Sequence, residues 1–191
     1  MHTLEPYYAW RNHYIASEDA RSPFFERTYS EFEYSTKVYN YFIHPQWDSI
    51  HSSTLFCKIL FVDYDERFAI IEFIGEWNDT INNDIMHLKR NIIDLLIADG
   101  ISRFVLIGEN VLNFHGSDDC YYEEWFEDLE DDRQGWIAAV NFQDHVLDEM
   151  SNFNIDSYIN SGGNLQIANW RTLHPLQFCM GLDSIIQKRL N

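Results

Sequence analysis

An α/β fold on a mixed sheet, antiparallel on its N-terminal side and parallel beyond it, is what this sequence predicts, on three observations. The β-rich runs 55–62 and 68–74 flank the polar turn Asp63-Tyr64-Asp65-Glu66-Arg67, which is the pattern of a hairpin. After Gly75 the apolar period changes from two to about 3.6. From Arg103 onward short apolar runs alternate with helical stretches, and that order with short connections requires parallel strands with helices packed on the sheet.

Taken in order, Leu4, Tyr7, Tyr8, Tyr14 and Ile15 predict one stripe of a short helix ending near Ser22-Pro23. Val38-Tyr39-Asn40-Tyr41-Phe42-Ile43 predicts a strand closed by His44-Pro45. Ile81, Ile85, Leu88, Ile92 and Leu96 predict a helix, with Asp79 and Thr80 at its polar start and Gly100 as its C-terminal cap. Residues 103–107 read as a short buried strand. Tyr121, Tyr122, Trp125, Phe126 and Leu129 then line one face of a second helix, with Gly135 just past its end. A buried strand at 136–140 precedes a helix carrying Val146, Leu147, Met150 and Phe153. Ser161-Gly162-Gly163-Asn164 predicts a turn, 165–168 a short edge strand, and about 175–190 a last helix. Residues 1–50 are expected as an arm packed on a domain of residues 51–191, the two forming one structural unit.

Hydrophobic residues make up 46% of the 191 and aromatics 16%, enough to fill a core and to exclude global disorder. A net charge of −18 repels phosphate backbones and anionic membranes, so the sequence argues against nucleic-acid or membrane partners and tolerates a basic protein. The longest apolar stretch, 55–62, is interrupted by Lys58 and is too short to span a bilayer. Cys57, Cys120 and Cys179 are odd in number and lack C-x-x-C spacing, which argues against a disulfide scaffold or a zinc module. Met1-His2-Thr3-Leu4-Glu5-Pro6 has neither a basic n-region nor an apolar h-region, so a cytoplasmic protein is expected.

Phe114-His115-Gly116, Trp125-Phe126-Glu127-Asp128-Leu129 and Ile137-Ala138-Ala139-Val140 follow one another in an order and spacing of their own. They resemble the F-x-G element, W-x-D-L helix and I-A-V-V strand of the SpoIIAA-like branch of the STAS fold, and Trp170 lies near a tryptophan of that family. The resemblance covers roughly 68–190. In the family's anti-anti-sigma regulators a strand leads through a loop carrying a Phe to a phosphorylatable serine at a helix N-terminus. Phe114 and Ser117 stand at matching offsets from Gly108. Gly108 departs from the family's acidic residue, Asp118-Asp119 replace its Ser-Gly, and the first fifty residues have no counterpart. The resemblance implies a SpoIIAA-like fold and a non-enzymatic cytoplasmic regulatory or protein-interaction module. Its second implication is a binder of a small apolar or lipid-like ligand in a pocket between helices and sheet, with Trp77, Trp125 and Trp170 as candidate lining.

Ser117 has two roles to weigh. As an N-cap its hydroxyl is worth about 1 kcal/mol. As a phosphoserine it would place charge at the positive end of a helix, beside the like charges of Asp118 and Asp119, so the cap is the preferred reading. The candidate partner-contact surface comprises Asn110, His115, Asp118, Asp119, Glu123 and Glu124. Between 118 and 132 nine residues are acidic and none is basic, a solvated face or a docking surface for a basic partner or for the chain's own arm, which carries Arg11, Arg21 and Arg27. No H-x-x-x-H, H-E-x-x-H or G-x-S-x-G pattern occurs. His115 and Ser117 are too close in sequence for a base and its nucleophile, so no catalytic residue, metal or cofactor is expected. The aromatic N-terminal third (Tyr7, Tyr8, Trp10, Tyr39, Tyr41, Phe42, Trp47) reads as core or as a subunit contact, which leaves a homodimer open.

Overall fold

The computed structural model describes residues 4–130 and 135–190. Strands β1 (Lys37–Val38) and β2 (Tyr41–Phe42) form a two-stranded antiparallel hairpin. Strands β3 (Asp48–Ser49), β4 (Leu55–Asp63), β5 (Phe68–Asn78), β6 (Arg103–His115) and β7 (Trp136–Val140) form a five-stranded sheet in chain order. Its first two pairings are antiparallel and its last two parallel. This is the mixed sheet expected, with the antiparallel part N-terminal.

The apolar runs dictate the layers. Ala69, Ile71, Phe73 and Trp77 of β5 face one core, closed, beyond the short α1 (Asp79–Asn82), by α2 (Asp84–Leu88), a π turn (Lys89–Ile93), α3 (Asp94–Ala98), α4 (Cys120–Glu130) and α5 (Asp144–Asn152). Phe68 and Ile70 face a second core made by Trp10, Leu165, Trp170 and, from α6 (Pro175–Leu190), Phe178, Leu182 and Ile186. Further along the strand, Ile74 and Phe56 are covered by Val38, Ile43 and Trp47. Each buried side chain of this size stabilises by roughly 1.5–3 kcal/mol. A strand apolar on both faces therefore draws a layer onto each. Among the described residues no helix is long and apolar enough to cross a membrane.

Several expected elements take other forms. In place of the N-terminal helix, a single 3-10 turn spans Ala9–Asn12. The run 38–43 is a hairpin rather than one strand, because Tyr39 adopts a φ of +53°. The helix from Asp79 is broken at Asn83, whose φ of +52° is a left-handed conformation that asparagine tolerates. Carboxylates bridge that break: Asp79 Oδ1 accepts from the Ile85 N–H (2.8 Å) and Asp84 Oδ2 from the Asn78 N–H (2.7 Å). Ile85, Leu88, Ile92 and Leu96 are buried as the period predicts, whereas the break turns Ile81 out to 80% exposure. Residues 165–168 form no strand; the parallel bridge beyond β7 runs instead between Ala138 and Asn160.

The largest departure is β6, which continues to His115 alongside β5. Pairing with β7 stops at Ile107, so the rest of β6 would present a bare edge. Gln143 Nε2 donates to the Val111 carbonyl (3.2 Å) and His145 Nε2 meets the Leu112 carbonyl (2.8 Å), covering that edge from α5 and the residue before it. Close packing there requires glycine: a Cβ on Gly108 would overlap the Phe142 ring, and one on Gly116 the Phe153 ring. Gly108→Ala is accordingly expected to lower stability in urea unfolding by about 1–3 kcal/mol. The loss should shrink in a Phe142→Leu background, since the two substitutions share one overlap.

Candidate interaction surface

Past Gly75 and Ile107, β5 and β6 run on as a two-stranded extension. Its inner face is aromatic. Trp77 packs against Phe73 (5.2 Å between ring centres), Phe114 (6.2 Å) and Tyr122 (6.5 Å). Its outer face is polar: Glu76 accepts from Asn113 Nδ2 (3.4 Å) and lies 4.0 Å from His115 Nε2. The same carboxylate accepts the Tyr39 hydroxyl, which ties the β1–β2 hairpin to the extension.

That hairpin holds aromatic rings in solvent. Its base is buried through Val38, Ile43 and Trp47, while Tyr39, Tyr41 and Phe42 are 58%, 59% and 40% exposed and nearby Phe32 is 86% exposed. A left-handed tyrosine is uncommon and costs on the order of 1 kcal/mol, strain of the kind that collects at binding sites. The Lys37 ammonium sits 4.3 Å from the centre of the Phe42 ring. Of the aromatic residues that the sequence suggests as core or subunit contact, Tyr39, Tyr41 and Phe42 around the turn lie outside the core.

Gly116, whose carbonyl accepts the Thr80 hydroxyl at 2.6 Å, leads from the extension into an acidic loop. Ser117 is half-buried and lies three residues ahead of α4, so it does not cap that helix. Asp118 and Asp119 take that place. Asp118 Oδ1 accepts the Cys120 N–H (3.3 Å), and the Asp119 carbonyl accepts the N–H groups of Tyr122 and Glu123, both at 2.9 Å. Hydrogen bonds from Cys120 hold the Asp118 carboxyl below its ordinary range, and the same contact pushes the Cys120 thiol up to about 11. The Asp119 carboxylate accepts from Asn154 Nδ2 and the Tyr158 hydroxyl, each at 3.2 Å. Asn110 lies farther down β6, half-buried and opposite Ile74.

The acidic face of α4 divides into paired and free charges. Glu124 binds Arg90 through both oxygens (2.5 and 2.7 Å), and Asp128 binds the buried Lys89 ammonium (2.6 Å), which also meets Asp94. Burial opposes the charge on Lys89, yet its carboxylate partners outweigh that and hold its pKa above the ordinary value. Hydrogen bonds from Arg90 likewise hold the Glu124 carboxyl below its range. Glu123 and Glu127 are exposed and have no side-chain partner among the described residues. The alternative that the arm's arginines dock on this helix is not met among the described residues: Arg11 pairs with Glu5, Arg27 with Asp48, and Arg21 lies over the Tyr64 ring. Asp131 and Asp132 lie outside the described residues.

The three tryptophans proposed as pocket lining are fully buried and are not brought together. Trp77 and Trp125 lie in the core on the α4 side of the sheet, and Trp170 in the core on the α6 side. Among the described residues no cluster of three or more His, Cys, Asp or Glu side chains is arranged to hold a metal ion.

A charged group missed from sequence lies beneath Trp170. Arg171 bridges Glu109 (2.5 Å) and, at 3.8 Å, the buried Glu72 of β5. Trp170 Nε1 and Asn141 Nδ2 donate to the other oxygen of Glu109 (2.7 and 2.8 Å), and the Tyr7 N–H donates to Glu72 (2.8 Å). Burial pushes the Glu72 carboxyl up to about 7, against the pull of the Tyr7 N–H and Arg171 and with the Glu109 charge adding to the rise. A carboxyl that binds its proton more tightly when folded contributes stability that is full below about pH 4 and is lost as pH rises through about 7.

Two stability measurements check these clusters. Glu72→Gln should be more stable than the parent by a margin that grows by about 2 kcal/mol between pH 5 and pH 8; a margin independent of pH contradicts the shift. Lys89→Met, which leaves Asp128 without its ammonium while Asp94 and Glu124 keep Arg90, should lose about 1–3 kcal/mol in denaturant unfolding.

No protein-family model matches this chain, and no curated protein matches it in sequence.

Proposed function

We propose that this chain is a non-enzymatic cytoplasmic protein-interaction module that docks a basic partner on the β1–β2 hairpin and the acidic loop beside it. The observation that carries the reading is the set of exposed rings, Phe32, Tyr39, Tyr41 and Phe42, carried by a segment whose base is buried. Aromatic side chains fixed in solvent supply large contact area at small entropic cost and are enriched at the centres of interfaces. Tyr39 donates to Glu76, which lies 4.0 Å from His115, and the chain runs on from His115 through Gly116 to Asp118 and Asp119. A net charge of −18 adds long-range attraction for a cationic surface and repulsion for an anionic one.

The SpoIIAA-like resemblance supports the same reading, since Phe114 at the end of β6 and Ser117 just beyond it resemble the loop phenylalanine and the serine of those regulators. Free thiols at Cys57, Cys120 and Cys179 favour a reducing compartment. Ser117 enters the proposal as a member of the contact loop.

A photo-crosslinking residue at Tyr41, expressed in the native cells, should capture a basic protein that the same residue at exposed Met180 of α6 does not capture. Tyr41→Asp should weaken that complex by roughly 30-fold or more. Glu123→Lys with Glu127→Lys should weaken it while leaving the fold intact, because neither side chain is paired among the described residues. Equal capture from both positions, or an acidic captured protein, contradicts the proposal.

A further inference from the structure

A cavity of about 140 Å³ lies between the N-terminal arm and β4. Its apolar wall is formed by Ile15, Ala16, Ile59 and Leu60, with the rings of Tyr7, Tyr14 and Tyr29 around it. An apolar cavity of this size holds a benzene-sized body. Its polar groups are Arg11, Ser17, Gln46 and Lys58, and no carboxylate lines it. Among the described residues the lining holds two cations and no carboxylate, and of the two Arg11 pairs with Glu5 outside it.

The balance of charge behind the lining points the same way. Lys58 is 11% exposed and donates to Asp48 Oδ2 at 3.1 Å, with its ammonium 3.7 Å from the centre of the Tyr29 ring. Asp48 is fully buried and already serves Arg27 (3.1 Å) and the Tyr29 hydroxyl (2.8 Å). Lys58 and Arg27 therefore share one carboxylate. An ammonium has three hydrogens, and among the described residues that of Lys58 makes a single hydrogen bond. The Gln46 carboxamide and the Ser17 hydroxyl have no side-chain hydrogen bond among the described residues. Unused donors over an apolar wall suit an anion with an apolar body.

We propose that this cavity binds a small apolar monocarboxylate, with its carboxylate on Lys58 and Gln46 and its body against Ile15 and Leu60. The site is independent of the hairpin surface and uses none of its residues. Charge-assisted hydrogen bonds to the ammonium supply orientation, and the size of the cavity limits the body to about one aromatic ring or a short alkyl chain.

Benzoate titrated into the isotopically labelled full-length chain is the test, with benzyl alcohol and benzylamine as neutral and cationic isosteres. Benzoate should shift the amide signals of residues 14–17 and 58–60 saturably, with affinity roughly tenfold above benzyl alcohol, and benzylamine should leave them unmoved. Lys58→Met should weaken benzoate by roughly tenfold. Since that substitution leaves the buried Asp48 with Arg27 and the Tyr29 hydroxyl only, Gln46→Leu provides a second variant whose fold does not depend on the ion pair, with a loss of roughly threefold. The absence of saturable shifts at these residues, equal affinity for benzyl alcohol, or unchanged benzoate affinity in a folded variant overturns the proposal.

Discussion

Glu72 stands in the middle of β5 with its carboxylate inside the protein, and segments distant in the chain have to meet it there. Tyr7 supplies an N–H and Arg171 an opposite charge, while of the residues opposite it on the neighbouring strands Lys58 donates to Asp48 and Ile107 has no side-chain donor. A buried carboxyl without such partners would destabilise the fold by several kcal/mol. The N-terminal arm is in this sense part of the core. Trp10 packs with Trp170 and Phe178 beside the contact, and Trp10 Nε1 donates to the Leu173 carbonyl at 3.0 Å. Once the arm is held at Tyr7, its continuation has to cross β4, which encloses the cation-lined cavity. It then returns to cover Ile74, which carries the hairpin to the end of the extension.

This arrangement separates charge by location. Outside, the exposed acids Glu123 and Glu127 have no side-chain partner among the described residues, and the net charge of the chain reaches into solvent. At the helix contact, Lys89 and Arg90 absorb Glu124, Asp128 and Asp94, so part of the apparent acidic face is internal structure. Within the arm, Arg27 and Lys58 share Asp48. Most of the basic residues that touch acids are spent on holding elements together, and the surplus of negative charge lies on the surface. A surface of this kind favours a cationic protein, and its aromatic centre gives the encounter something to bury.

What could be read from the sequence follows from where local periodicity decides structure. The runs 55–62 and 68–74, the stripe Ile85, Leu88, Ile92 and Leu96, and the strands starting at Arg103 and Trp136 are all set by burial on one or two faces. Beyond Ile107 that signal fails, because Gly108, Glu109, Asn110 and Asn113 break the apolar pattern of a strand that has lost its β7 neighbour. The hairpin was hidden because its turn puts a tyrosine at positive φ, where glycine or asparagine is the usual sign. Ser117 looked like a cap because helix starts are uncertain by a few residues, and two aspartates follow it. The Lys89 cluster and the Glu72 contact join residues 39 and 65 positions apart, beyond any local pattern. Yet Glu72 and Lys58 were each visible as a lone charge within an apolar strand, and they mark the two internal charged groups.

Amide hydrogen exchange of the captured complex, compared with the free chain, tests the docking surface most directly. The account predicts slowed exchange confined to the hairpin and its flanks, residues 29–42, and to the extension and acidic loop, residues 112–119. Protection that falls on α5 or α6 and leaves the hairpin unchanged would contradict it.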